Sequence, residues 1–236
     1  MDTRPYLLVG AGRLSRHLGH YFDLESIAWR RWHRSMATPL REAVRGSRAV
    51  LLLISDDAIE VFLDHNVRPG DPPWIHCSGS LVTTAAVGIH PLMTFSDELY
   101  DLRVYREMCV VCERGRTPFR DLFPQLTNPS FEIDPEDKVL YHAMCTIAGN
   151  FTTLLWHKAF GEFEDRLGLP RSVLFPYLDR VADNLKSSTS PLTGPLARGD
   201  GRTVAHHLEA LAGDQFGDVY RAFVAAHEAD VRRRRP

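Results

Sequence analysis

Short apolar runs alternate with amphipathic stretches through the first half of the chain, and long amphipathic stretches alone fill the second. "PYLLVGAGRLSRHLGHYF" opens with a short apolar strand, turns at Gly10-Ala11-Gly12, and continues as a helix with Leu14 and Leu18 on one face. "SIAWRR" reads as the second strand and "TPLREAVRG" as a short helix. The strand in "AVLLLISDDAIEVF" opens at Ser55 into a helix with Asp56 or Asp57 at its N-cap. "WIHCSGS", "VGIHPLMTF", "EMCVVCE" and "SFEI" supply further strands, with a helix near "FRDLFPQL". Strand and helix in alternation predict a doubly wound α/β sheet.

From Asp134 onward strand signals stop. "DPEDKVLYHAMCTIAGNFTTLLWHKAFGEFEDRLGL" has a capping Asp134, Pro135 at the first helical position, and an end at Gly168 before Pro170. Two more helical patterns follow, "RSVLFPYLDRVADNLKS" and "TVAHHLEALAGDQFGDVYRAFVAAHEADV", separated by the irregular "SPLTGPLARGD". The predicted division is an α/β domain over residues 1–133 and an all-helical domain over 134–236.

Composition changes this picture little. With 236 residues, 44% of them hydrophobic and 25% charged, the chain can bury a sizeable core. A net charge of −2 gives no bulk attraction to nucleic acid or to an anionic membrane, and the local exception, "RRRR" near the end, reads as a frayed, solvated tail. The run "YLLV" is too brief for a signal-peptide core, and "AVLLLI" falls far short of the roughly 18 apolar residues that span a bilayer. The expected compartment is the cytoplasm. Cys109 and Cys112 form a C-x-x-C, but on a strand residues three apart point to opposite faces, and no second ligand pair follows, so no metal site is expected.

The chemistry-bearing positions cluster at predicted strand ends. Gly10 permits positive φ, and the missing side chain at Gly12 lets a backbone approach a pyrophosphate at the helix N-terminus; Ala11, Arg13 and Leu14 complete that junction. Ser15 stands where the third glycine of G-x-G-x-x-G would be. About 20 residues after Gly10, where an NAD site places a carboxylate, stand Arg30 and Arg31, which favours the 2′-phosphate of NADP; a basic turn that also includes Arg34 is the plainer alternative. Ser55, Asp56, Ser78, Gly79 and His90 gather at the carboxyl rim of the sheet, where ligands bind in such folds. Ser78 is no hydrolase nucleophile, because G-x-S-x-G is absent.

On the first long helix Lys138, His142, Thr146 and Asn150 recur every fourth residue, a stripe drifting through roughly 120°. Leu140, Met144, Ile147 and Ala148 lie opposite. The stripe fits a helix whose His and Asn bond neighbouring loops, and equally the wall of an active site. Of its members His142 has the intrinsic pKa of a proton donor at neutral pH, Lys138 suits electrostatic support or donation, and Asn150, both donor and acceptor, can orient a carbonyl or hold a nicotinamide amide. Arg198 can fork onto a carboxylate, with Asp200 fixing it and Thr193 beside it; the alternative is a loop-stabilising pair. His206-His207 read as one ring inward and one outward on a helix.

Taken together, "GAGRLSRHL", "HCSGSL", "HPLMTF", "YHAMCTIAGN" and "LTGPLARGD…HHLEAL" resemble the bacterial Rossmann-like proteins of the DUF2520 type, with a 6-phosphogluconate dehydrogenase-like helical C-terminal domain. The resemblance covers nearly the whole chain and implies an N-terminal NADP-binding domain, a helical domain for substrate and dimerisation, and a cleft between them. It also implies a reductase of a small 2-keto acid, with ketopantoate and pantothenate synthesis leading, as in the alternative form of ketopantoate reductase. Imine or pyrroline-carboxylate reduction, and a non-catalytic NADP-binding sensor or scaffold, are the rival readings. Lys138 departs from the resemblance, where arginine is the more usual residue.

Overall fold

The computed structural model describes residues 3–234, with the side chain of Arg234 left out. In chain order the first part contains β1 (Tyr6–Val9), α1 (Arg13–Leu24), β2 (Trp29–Trp32), α2 (Leu40–Arg45), β3 (Val50–Leu52), α3 (Asp56–Asn66), β4 (Trp74–His76), β5 (Val87–Leu92), α4 (Leu102–Glu107), β6 (Cys109–Glu113), α5 (Phe119–Leu122) and β7 (Ser130–Ile133). The strands form one sheet in the order β2-β1-β3-β4-β5-β6-β7, with only β5 and β6 antiparallel. This is the expected α/β doubly wound architecture, buried on both faces as near-continuous apolar strands require. Tyr6, Leu8, Leu51 and Ile75 pack towards α1 and α5, while Leu7, Val9, Val50 and Leu52 pack towards α2 and α3.

The chain passes from β1 to β2 on one side and then to β3 on the other, so the topological switch point lies between the ends of β1 and β3. Gly10 occupies it at φ +134°, its amide donating to the Trp32 carbonyl at 2.9 Å. A Cβ there would lie 2.2 Å from the Leu53 carbonyl oxygen, so glycine is required both by space and by conformation.

After β7 comes a helical stretch that runs without interruption from Pro135: a 3₁₀ turn (Pro135–Asp137), α6 (Lys138–Cys145), a π turn (Thr146–Phe151), α7 (Thr152–Gly161) and a second π turn (Glu162–Arg166). Asp134 takes the expected N-cap position, with its carboxylate on Arg114 at 3.0 Å, and Gly168 ends the stretch at φ +66°. The remainder is a 3₁₀ turn (Arg171–Leu174), α8 (Phe175–Ser187), α9 (Pro195–Arg198), α10 (Gly201–Ala210) and α11 (Gln215–Arg234). No helix of the described residues is long and apolar enough to cross a membrane.

Three local expectations are corrected. Ser55, not Asp56 or Asp57, occupies the N-cap of α3, and the two aspartates sit in the first turn where the helix dipole favours them. The pattern from Thr203 to Val231 is two helices, because the chain turns through Gly213 at φ +83°. The arginine tail is helical through Arg234, with Arg232 paired to Glu228 at 3.6 Å; Arg235 lies outside the described residues, as do Met1 and Asp2 at the other end.

The chain divides into two compact units, Met1–His157 and Lys158–Pro236. α6 therefore belongs with the sheet, and the division falls within α7. Within the second unit Lys158 binds Glu162 at 2.7 Å and Asp214 at 2.5 Å, tying the end of α7 to the turn before α11.

Candidate active site

The glycine turn has the form that a pyrophosphate needs. Gly12 caps α1 with extended backbone, and no atom lies within 4 Å of a Cβ built on it. Ser15, in place of the third glycine, is fully buried and donates to the Gly10 carbonyl at 2.9 Å, so it closes the turn with a bond that glycine would not make. Ala11 and Arg13 are exposed beside it, and half-buried Leu14 packs against the core.

The two arginines of β2 diverge. Arg30 packs over Gly46 and donates to the Ala43 carbonyl at 2.5 Å and to Ser47 at 3.3 Å, so its guanidinium is committed to α2. Arg31 lies over the Trp29 ring and reaches the Ser15 carbonyl at 3.5 Å. Arg34 stands exposed in the turn after β2, whose last residue, Trp32, accepts the Gly10 amide.

Across the switch point, Ser78 donates to Asp56 at 2.5 Å and accepts the Leu81 amide at 3.1 Å, while Ser55 begins α3. Gly79 lies directly under His142: an added Cβ would be 2.5 Å from the imidazole Cδ2. His142 stands edge to face with His90, ring centroids 5.6 Å apart, and His90 Nδ1 shares a hydrogen bond of 2.6 Å with the Tyr141 hydroxyl. Burial, followed by the charges of His142 and Lys138, pushes the His90 pKa down to about 4, so this ring is neutral at ordinary pH. Burial holds the Tyr141 phenol above its ordinary range. The structure thus brings together Asp56, Ser78, His90 and His142 on the first unit.

Lys138 is buried beneath them. Its ammonium is 2.6 Å from Glu113 and also donates to the Leu81 carbonyl. His76 Nε2 lies 3.9 Å from the same carboxylate, and Arg116 Nε lies 4.0 Å from it. Sequence reasoning missed Glu113, Arg116, His76 and Tyr141. One signal was available: Gly88, opposite Glu113, where a Cβ would meet the carboxylate at 2.2 Å and the ammonium at 2.6 Å.

The stripe on α6 therefore grades from buried Lys138 through half-buried His142 and Thr146 to exposed Asn150 on the π turn, a helical form often found at functional sites. In the second unit Asp200 is the N-cap of α10, accepting from the Thr203 amide at 3.0 Å and hydroxyl at 2.7 Å. Among the described residues no ion pair joins it to Arg198, contrary to the expected fixing role; Arg198 and Thr193 are exposed. His206 and His207 are both exposed, His207 bonding Tyr220 at 2.9 Å. Among the described residues no group of three or more His, Cys, Asp or Glu could hold a metal ion.

The sheet order and glycine turn define a Rossmann-like α/β protein with a helical C-terminal part. Residues 112–227 match the model of a family described as a domain of unknown function, DUF2520. No curated protein matches the chain. Solved structures share its fold. A Bacteroides fragilis protein described as an NADP oxidoreductase is 20% identical over 95% of this chain and 98% of its own, with a TM-score of 0.79. The reductive aminase of Aspergillus terreus, in complex with NADPH and ethyl levulinate, is 16% identical over 99% and 95%, with a TM-score of 0.61. The Plasmodium falciparum pyrroline carboxylate reductase, with NADP bound, is 14% identical over 95% and 96%, with a TM-score of 0.57.

Proposed function

We propose that the chain is an NADPH-dependent reductase of a small carbonyl or imine. The observation that carries this reading is the convergence of His142, His90, Ser78 and Asp56 at the carboxyl rim of the sheet that also carries the glycine turn. The open space at Gly12 and the α1 N-terminus suit a pyrophosphate held by Gly10 to Leu14, and Arg34 and Arg31 are the cations for a 2′-phosphate. When bound, NADPH supplies the hydride. His142 gives the proton to the developing oxygen or nitrogen, while neutral His90 and the Tyr141 hydroxyl hold the adjoining wall. Asn150 orients the reacting group, and Lys138 acts as support, its charge answered by Glu113.

A 2-keto acid, with ketopantoate leading, remains the first substrate class, with Arg198 as carboxylate clamp, Thr193 beside it and Asp200 holding the local turn. The sequestration of Lys138 favours the second reading, a cyclic imine, because it leaves the Asp56 carboxylate near His90 as the group that suits an iminium. The pyrroline carboxylate reductase and reductive aminase of similar fold support that class. A homodimer is part of the proposal.

The test is NADPH oxidation by purified protein against a panel of 2-keto acids and cyclic imines. His142→Ala should lower kcat about 10²-fold or more while NADPH affinity stays within about twofold. Tight NADPH binding with no turnover across the panel would instead favour a nucleotide sensor.

A further inference from the structure

The segment between β4 and β5, residues 77–86, has no regular structure, so its carbonyls lack ladder partners and must find donors elsewhere. Two cations provide them. Lys138 donates to the Leu81 carbonyl, and Arg116 donates to the Ala86 carbonyl at 2.6 Å and to that of Thr84 at 3.3 Å. Both cations face one carboxylate, Glu113, at the end of β6: Lys138 at 2.6 Å and Arg116 at 4.0 Å. A carboxylate 3% exposed is costly unless paired, and here its pairing places two donors where the segment's backbone needs them. β5 leaves room for the pair by carrying glycine at position 88.

We propose that Glu113 is a positioning residue: through Lys138 and Arg116 it fixes the segment that forms the floor under His142. The other end of that segment is held by Ser78 on Asp56, and Gly79, between the two anchors, is the residue in contact with the imidazole. Releasing the Glu113 anchor lets Gly79 move, and His142 then loses the surface that sets its ring. This role rests on the reading of His142 as proton donor.

The test separates positioning from stability. A Glu113→Leu/Lys138→Met double variant replaces the buried pair with apolar groups of similar volume, a change that buried pairs often tolerate in stability. In this variant the amides of residues 79–86 should exchange about tenfold faster, while those of β1 and β3 keep their protection. kcat should fall about tenfold with KM for NADPH within about twofold, and exposed Glu107→Gln should change neither reading. Unchanged exchange in the segment, or unchanged kcat in a loosened one, overturns the proposal. Should the double variant not fold, Gly88→Ala decides, because it presses on the pair without altering either charge, and unaltered segment exchange there overturns it as well. If the wild-type chain reduces nothing on the panel, the functional reading fails while the exchange comparison still decides whether Glu113 anchors the segment.

Discussion

At the scale of single residues, His76 has the clearest measurable consequence. It is fully buried, and among the described residues neither ring nitrogen has a hydrogen-bond partner. Burial first, and Lys138 second, push its pKa from 6.5 down to about 4, and His90 is depressed to about 4 as well. A depressed folded-state pKa means that the unfolded chain binds more protons, so the stability these rings contribute is complete above pH 6.5 and is lost as pH falls through 4. Each ring accounts for roughly 3 kcal/mol when the loss is complete. The urea midpoint should therefore fall steadily between pH 6.5 and 4. His76→Leu should flatten this slope by about half and cost little at pH 7, since it forfeits no hydrogen bond. An unaltered slope in the variant would assign the acid sensitivity to other groups.

Among elements, β2 and the turn after it divide their arginines between structure and recognition. Arg30 holds α2 through the Ala43 carbonyl, whereas Arg34 stands exposed in that turn. Arg34→Ala should thus reduce the preference for NADPH over NADH by about tenfold with an unchanged unfolding midpoint, as loss of a phosphate contact implies. Arg30→Ala should lower the midpoint and leave the preference within about twofold; titrating both nucleotides against both variants checks this. The strands were legible because sheets buried on both faces need continuous apolar runs, and Gly10 because its backbone admits little else. At position 30 the bonds to Ala43 and Ser47 were not legible, because distance from Gly10 says nothing of which side of the strand a guanidinium leaves. For Lys138 the partner was not legible, because Glu113 lies on another element and only Gly88 betrays the contact. The amphipathic pattern of α6 and the π turn after it was visible, yet its apolar side, with Leu140 62% and Ile147 50% exposed, is the outward one. Periodicity shows that a helix has two faces without saying what covers each.

For the whole molecule the telling contrast is between its two units, each taken by itself. The first has a core on both sides of its sheet. In the second, Leu174 is the one buried hydrophobic residue among those described, while Leu167, Phe175, Leu185, Leu192 and Phe223 are exposed. Folding must offset a large conformational entropy with buried apolar area, and from Lys158 onward much of that area is only partly buried, as at Phe160, Leu178, Leu208 and Phe216. The homodimer proposed above would cover the exposed residues: a two-fold contact through them hides the apolar area of both copies at once. In the first unit, taken by itself, Leu140, Ile147 and Phe151 are exposed as well. Sedimentation equilibrium at micromolar concentration should give the mass of two chains, not 26.8 kDa. Leu185→Asp and Ile147→Asp should each shift the protein towards monomer and lower its unfolding midpoint, because each would set a charge in an apolar contact. A wild-type chain that sediments at 26.8 kDa, with both variants as stable as the parent, would show instead that these helices stand without a second copy.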